Sequence, residues 1–144
     1  MKSGHATLQY AGDDFFIGVT PSGHAIPIDI NGERSAATGP LEMLLVALGG
    51  CTGADVISVL RKKRQQVTDY KIEVRGQRRE EYPRAFTRME VKHVVRGRSI
   101  SEEALAKAID ISSAKYCSVA ASLRPTVEIV SSYEIHEDSI KENE

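Results

Sequence analysis

The fold of this 144-residue chain is decided by one stretch, GPLEMLLVALGGCTG at residues 39–53. Gly39 suits a helix N-cap and Pro40 suits the first helical position. Glu42 falls at the third position, where a carboxylate favours the positive end of the helix dipole. From residue 41 to residue 60 apolar side chains lie on nearly all sides, which is typical of a buried helix. The stretch therefore predicts one long helix inside the protein.

Strand patterns flank this helix on both sides. Short alternating segments with turn signals between them predict an antiparallel meander before the helix. A capping-box sequence at residues 99–102 predicts the start of a second helical region, which is broken near Tyr116 and ended by Pro125. The predicted elements are strands at 6–10, 15–19 and 25–30, the helix at 41–60, strands at 70–79 and 85–96, the second helical region up to 123, and a strand at 126–135. This order predicts an α+β fold.

The composition is that of a soluble globular protein. Hydrophobic residues make up 41% of the chain and charged residues 27%. The length fits one domain, which we place at residues 1–136, and we expect the acidic, polar tail at residues 137–144 to be frayed. The formal net charge is -1 and aromatic residues make up only 6%, so we predict no nucleic-acid partner.

The apolar segments of the sequence predict where in the cell the protein is located. The N-terminus has no apolar run behind its lysine and predicts no secretory signal. The apolar stretch at residues 41–60 contains Glu42, Asp55 and glycines, so it predicts no membrane span and no membrane partner. We therefore expect a cytoplasmic protein, in a compartment that keeps thiols reduced. Its two cysteines are then either inert core residues or redox-active residues.

Each cysteine lies in an unusual local context. Cys51 is surrounded by Gly49, Gly50 and Gly53, and each glycine inside a helix costs about 1 kcal/mol relative to alanine. That cost is offset either by close packing of a crossing element, which makes Cys51 a small buried apolar residue, or by room for a ligand beside it. Cys117 lies at the predicted helix break, where free N–H groups would favour its thiolate, or else it is a core residue.

Two acidic residues share the helix of Cys51. Glu42 precedes Cys51 by nine positions, a rotation of about 900°, so in a straight helix the two lie on opposite faces. Glu42 therefore either caps the helix or reaches a thiol through a helix bend or across a subunit interface. Asp55 shares the face of Cys51. An unpaired carboxylate there would raise the thiol pKa, so Asp55 needs a cation or a cap.

Other chemistries have little support in the sequence. The histidines are scattered and no C-x-x-C or H-x-x-x-H spacing exists, so we predict no metal site. Those histidines are His5, His24, His93 and His136. The chain also contains neither a glycine-rich nucleotide motif nor a G-x-S-x-G elbow, so we predict no cofactor and no serine hydrolase.

Four segments of the chain resemble the OsmC/Ohr family. They are GPLEMLL at 39–45, ALGGC at 47–51, KYCSV at 115–119, and RREEYPRAFT at 78–87, which is similar to the OsmC-like (YhfA-like) branch. The order of strands and helices matches that family across nearly the whole chain. The resemblance implies an OsmC/Ohr-like intertwined homodimer of α+β class, with antiparallel sheets around long central helices and two active sites at the subunit interface.

The resemblance also implies a reaction. In the best known members the first cysteine reduces an organic hydroperoxide and becomes a sulfenic acid. The second cysteine resolves it to a disulfide, which a dithiol reductant reopens. Cys51 matches the first cysteine, Cys117 matches the second, and Glu42 matches a glutamate that holds a thiolate-activating arginine. Arg34 is the only arginine in residues 1–41 and is the candidate for that role; otherwise it is a solvated loop charge.

Three functions are consistent with the sequence. The first is a thiol-dependent peroxidase for organic hydroperoxides, which predicts loss of turnover in Cys51→Ser. The second is a module that binds a small apolar or electrophilic ligand, which predicts stabilisation by the ligand without peroxide consumption. The third is a structural homodimer with two core cysteines, which predicts slow alkylation of both thiols.

Overall fold

The fold is known from a computed structural model, which describes residues 3–138. Within those residues the elements are β1 (Thr7–Gly12), β2 (Phe15–Val19), β3 (Ala25–Asp29), α1 (Pro40–Lys62), β4 (Gln66–Arg78), β5 (Phe86–Arg98), α2 (Glu102–Ile111), a π-helical turn (Ser112–Tyr116), α3 (Ser118–Leu123) and β6 (Glu128–Glu137). The predicted α+β class and the predicted order of elements are confirmed.

Helix α1 begins where the sequence predicts. Pro40 is its first residue, and the carboxylate of Glu42 accepts a hydrogen bond of 2.8 Å from the N–H of Gly39. This contact satisfies one N–H that the helix leaves unpaired at its start. Arg61 and Lys62 lie in the last turn, where cations favour the negative end of the dipole.

The chain divides between Leu44 and Leu45 into two compact units, and each is described by itself. The predicted single domain at residues 1–136 stays a prediction. In the first unit, β1, β2 and β3 form an antiparallel sheet in that order. Strand β2 lies in the middle, and Phe16 pairs with Tyr10 on one side and with Ile28 on the other.

The second unit contains a mixed sheet of order β4-β5-β6. Strands β4 and β5 pair antiparallel over 13 residues each, whereas β6 pairs parallel to β5. The implied antiparallel arrangement is therefore wrong for this one strand pair. The reason is the connection: α2 and α3 separate β5 from β6, and a long crossover returns the chain in the same direction.

The core of the second unit lies between this sheet and the helices. Alternate residues of β5 point inward and are buried, among them Met89, Val91, His93 and Val95. The main cluster consists of Val56, Leu60, Val95, Leu105, Ala108 and Ile109. The second helical region turns one face toward this core, because Leu105, Ala108, Ile109 and Ser112 are all buried.

Two boundaries differ from the predictions. The capping box at residues 99–102 is misplaced, because Ser101 is the N-cap and its Oγ accepts the N–H of Ala104 at 3.1 Å. Ser99 instead has a positive φ of 51°. The predicted tail begins too early, because β6 includes Glu137, and Asp138 donates its N–H to Gly97 at 2.8 Å. The rest of that predicted tail, 139–144, lies outside the described residues.

Helix α1 is long and apolar enough to cross a membrane by length and composition alone, with a mean hydropathy of 1.9 over 18 residues. One such helix is weak evidence, since the core helix of a soluble protein meets the same criterion. Only 33% of those 18 residues are buried within the chain, and Val46 is 74% exposed. Part of the apolar surface of α1 is therefore uncovered.

Candidate functional site

Both cysteines and Asp55 meet at one place in the second unit. Cys51 and Asp55 lie one turn apart on α1, and Cys117 lies directly before α3. The two Sγ atoms and a carboxylate oxygen of Asp55 are all within 4.8 Å of one another. Both thiols are free; Cys51 is partly exposed and Cys117 is buried. We call these three residues the thiol site.

The predicted break in the second helical region is confirmed, and it positions Cys117. The π-helical turn ends when the N–H of Cys117 donates to the carbonyl of Ser112 at 2.8 Å. Cys117 then adopts an extended backbone, with φ −75° and ψ 99°, and becomes the N-cap of α3. The turn therefore directs the Cys117 thiol back toward α1.

Burial raises the pKa of the Cys117 thiol above its ordinary value. The N–H of Ala120 donates to Cys117 Sγ at 3.4 Å and acts in the opposite direction. The neighbouring Cys51 and Asp55 raise the pKa further. The helix start therefore does contact the thiol as expected, but it does not outweigh burial, and Cys117 is a thiol rather than a thiolate at neutral pH.

Asp55 is capped by hydroxyl groups. The Oγ of Ser112 donates to Asp55 Oδ2 at 2.8 Å and lies 3.1 Å from the hydroxyl of Thr52. Both hydroxyl residues are buried. Within residues 45–138 no salt bridge involves Asp55. The sequence predicted that Asp55 needs a cation or a cap but did not identify Ser112 as that cap; a hydroxyl on the otherwise apolar buried face of the second helical region was the available signal.

Two of the three glycines around Cys51 are explained by close packing of β4. A Cβ on Gly49 would lie 3.2 Å from a methyl group of Val74, and one on Gly53 would collide with the side chain of Ile72. A Cβ on Gly50 would meet nothing within 4 Å. Close packing therefore accounts for Gly49 and Gly53, whereas Gly50 faces open space.

Two grooves border α1 in the second unit. An apolar groove of about 420 Å³ is lined by Leu45, Val46, Gly49, Gly50, Ile72 and Val74. A second, which we call the Asp55 groove, measures about 320 Å³ and is lined by Asp55, Ser58, Val59, Lys62, Ile111 and Tyr116. Asp55 belongs to the thiol site, so the Asp55 groove borders that site through this carboxylate, although neither cysteine lines the groove.

A protein-family model described as OsmC-like protein matches residues 32–132. The chain belongs to the OsmC-like protein family. The matched range contains both cysteines, Asp55, Glu42 and Arg34.

Relatives of known sequence or structure agree with this membership. The chain is 45% identical to Protein YhfA of Escherichia coli strain K12 over 120 residues, which are 83% of this chain and 89% of the relative. A hypothetical protein from Aquifex aeolicus is 34% identical, with a TM-score of 0.86 over 96% of this chain and 100% of that one. An organic hydroperoxide resistance protein OsmC from Legionella pneumophila shares the fold, with a TM-score of 0.67, 12% identity, and coverage of 93% and 98%.

The other two residues implied by the OsmC-like resemblance lie in the first unit. Arg34 forms a bidentate contact with Asp29, with bonds of 2.8 and 2.9 Å, and donates to the side chain of Asp13 at 3.0 Å. Its guanidinium also stacks over the ring of Phe15 at 4.2 Å. Glu42 contacts Gly39 as described above. Both side chains thus have partners within their own unit, and their roles at Cys51 stay predictions.

A buried pair in this OsmC-like chain was not anticipated from the sequence. Tyr70 Oη lies 2.6 Å from His93 Nδ1, and Nε2 of the fully buried His93 has no partner among the described residues. Burial lowers the pKa of His93 to about 4 and raises the pKa of Tyr70 above its ordinary value. His93 is therefore a neutral core residue at physiological pH.

Proposed function

We propose that this chain is a thiol-dependent peroxidase that reduces organic hydroperoxides through Cys51 and Cys117. The observation that carries the proposal is the proximity of the two free thiols, whose sulfurs lie within 4.8 Å. Two thiols this close can form a disulfide without a large movement of the backbone. Membership in the OsmC-like family, and a distant structural neighbour called an organic hydroperoxide resistance protein, support the same reaction class.

The difference in exposure assigns the two roles in this proposal. Cys51 is partly exposed, whereas Cys117 is only 3% exposed. The sulfur that meets the peroxide must be reachable, so Cys51 attacks the peroxide oxygen. The S–O bond forms as the O–O bond breaks, the alcohol leaves with a proton, and Cys51 becomes a sulfenic acid.

Resolution follows at the same site. Cys117 attacks the sulfur of the Cys51 sulfenic acid, the S–O bond breaks, and the oxygen leaves as water with the thiol proton of Cys117. An external dithiol then reduces the disulfide by thiol exchange. The raised pKa of the Cys117 thiol keeps its thiolate fraction small at neutral pH, so this second step should become faster as the pH rises.

The proposal includes a cytoplasmic homodimer. Its support is the uncovered apolar surface of α1, where Val46 is 74% exposed beside the apolar groove. Contiguous exposed apolar surface on a soluble protein marks an interaction site. A second copy of the chain is the occupant that the family resemblance implies, and equilibrium sedimentation is expected to give twice the mass of the chain.

Arg34 and Glu42 belong to the proposal in the roles that the resemblance implies. Arg34→Lys tests the first role, because lysine cannot reproduce the bidentate contact of a guanidinium. If Arg34 activates Cys51, the variant slows sulfenic acid formation and raises the pH at which Cys51 becomes reactive. A purely local role with Asp29 lowers only the stability of the protein.

Steady-state consumption of cumene hydroperoxide with a dithiol reductant tests the proposed activity. Cys51→Ser is expected to abolish turnover, whereas Cys117→Ser is expected to react once and retain a sulfenic acid that dimedone traps. Equal turnover in both variants would contradict the proposal. Ser122→Ala, an exposed change on α3 that lines neither groove, is the control.

A second candidate is a binding module without turnover. The observation that favours it is the absence of a salt bridge to Asp55 within residues 45–138, since an unpaired carboxylate opposes ionisation of nearby thiols. The apolar groove would then hold an apolar ligand. Thermal stabilisation by such a ligand, with no loss of added peroxide, would favour this candidate over the peroxidase.

A further inference from the structure

The thiol site has the composition of a metal site as well as of a redox pair. Two sulfurs and one carboxylate oxygen lie within 4.8 Å of one another. In a tetrahedral zinc site, with Zn–S bonds of about 2.3 Å, two sulfurs lie about 3.8 Å apart. We propose that the reduced thiol site binds one zinc ion, or a similar thiophilic divalent cation, through Cys51, Cys117 and Asp55.

The charge of the site favours a cation. Asp55 forms no salt bridge within residues 45–138; Lys62 lines the Asp55 groove but does not pair with it. The Asp55 carboxylate raises the pKa of the neighbouring Cys117 thiol and so opposes its ionisation. A bound divalent cation reverses this effect, because all three groups then ligate as anions.

The carboxylate is already oriented for ligation. Ser112 donates its hydroxyl to Oδ2 of Asp55, and the hydroxyl of Thr52 lies beside that of Ser112. This arrangement fixes the carboxylate, one oxygen of which lies within 4.8 Å of both sulfurs. Metal-ligating carboxylates are held by such outer hydrogen bonds, and loss of one weakens metal affinity.

The surroundings allow an ion to enter and complete its coordination. Asp55 lines a groove of about 320 Å³, and Cys51 is partly exposed. Three protein ligands leave the fourth tetrahedral position to a water molecule. The sequence alone does not reveal these three ligands, because Cys117 follows Cys51 by 66 positions and the two do not form a short ligand motif.

Binding at this site involves protons and no electrons. A cysteine ligates zinc as its thiolate, so binding displaces the thiol proton of Cys117, and affinity increases with pH. Oxidation of Cys51 and Cys117 to a disulfide removes both sulfur ligands. The proposal stands whether or not the protein turns over peroxide.

Cobalt and zinc titrations of the reduced, metal-free protein test the proposal under anaerobic conditions. We expect one Co²⁺ per chain, with a sulfur-to-cobalt charge-transfer band in the near ultraviolet that Zn²⁺ abolishes. Binding should release protons into weak buffer at neutral pH, because the Cys117 thiol is protonated there. The diamide-oxidised protein should show no such band.

Substitutions identify the ligands. Asp55→Asn should weaken Zn²⁺ binding at least as much as Ser112→Ala, for which the expected loss is roughly 10-fold. Asp110→Asn removes an exposed carboxylate from α2 and should leave affinity unchanged. Cys51→Ser should remove most of the charge-transfer band. Equal affinity in Asp55→Asn and the wild type would overturn the three-ligand site, and a band that survives in Cys51→Ser would overturn binding at this place.

Discussion

Arg34 and Asp55 are both charged residues of the OsmC-like chain, and their surroundings differ. The guanidinium of Arg34 contacts two carboxylates and an aromatic ring in the first unit. Asp55, in the second unit, accepts a hydrogen bond from Ser112 and lies within 4.8 Å of two thiol sulfurs, and no salt bridge within residues 45–138 involves it. A charged side chain with a full set of partners, such as Arg34, holds a loop in place. A charged side chain without a counterion, such as Asp55, can still bind a ligand or a proton.

Of the contacts that Arg34 forms, we expect the bidentate contact with Asp29 to contribute most to the free energy of unfolding. Asp29→Ala leaves Arg34 and the N–H of Ala36 without their partner. We therefore expect a larger loss of unfolding free energy than in Ser112→Ala. Asp13→Asn is the matched control, because Asp13 contacts the same arginine but its side chain is 84% exposed. Urea denaturation measures these variants; equal losses in the two aspartate variants would show that Arg34 does not depend on the buried carboxylate.

The Asp29 contribution also depends on pH. Arg34 holds the pKa of Asp29 well below its usual 3.8, so the stabilisation is fully present above about pH 4 and is lost as the pH falls below it.

The buried His93 in the second unit should make the free energy of unfolding depend on pH. Its folded pKa is about 4 and its ordinary pKa is 6.5, so between these values the unfolded chain binds more protons. The free energy of unfolding should fall by up to about 3 kcal/mol as the pH is lowered from 6.5 to 4. His93→Gln should remove this part of the pH dependence, whereas His136→Gln, at an exposed site, should retain it. An identical pH profile in His93→Gln would contradict the burial of a neutral imidazole.

Ser112 tests the surroundings of Asp55. Ser112→Ala removes the hydroxyl that links Asp55 to Thr52, and we expect a loss of about 1–3 kcal/mol of unfolding free energy. The exposed Ser58→Ala on α1 should change stability much less. A loss no larger than that of Ser58→Ala would mean that Asp55 does not need its cap.

The smallest effect is expected at the glycines that border the thiol site. Gly50→Ala meets no neighbour within its own chain and should stabilise the helix by about 0.5–1 kcal/mol, a gain that a second copy packed on the apolar groove would reduce. Gly49→Ala must displace Val74 and should gain less or destabilise. Equal gains in the two variants, measured by thermal unfolding, would show that β4 does not limit the packing at Gly49.

Much of the fold was predictable because its signals are local. The apolar stretch and the Gly39–Glu42 start predicted α1, and strand alternation predicted the elements around it. The parallel direction of β6 was missed because it depends on the crossover through α2 and α3 rather than on the pattern of β6 itself. The cap was misplaced because the S-x-x-E spacing selects Ser99, whereas the helix is capped by Ser101, which has Ala104 rather than Glu at the third position after it.

The candidate site was only partly predictable. Cys51 and Cys117 could be singled out from their contexts, and the family resemblance paired them. Their proximity depends on a π-helical turn between α2 and α3, and such a turn has no distinct pattern in the sequence. The partners of Arg34 were hidden for a similar reason, because Asp13 and Asp29 reach it through the tertiary contacts of a loop.

If Cys51 and Cys117 react as a pair, peptide mapping of the oxidised protein should detect the bond between them. One equivalent of cumene hydroperoxide is added to the reduced protein with a chelator present, and the quenched sample is digested without reduction. We predict loss of both thiols and a peptide linked through Cys51 and Cys117 of the same chain. Survival of both free thiols, or disulfides only between different chains, would contradict the paired reaction.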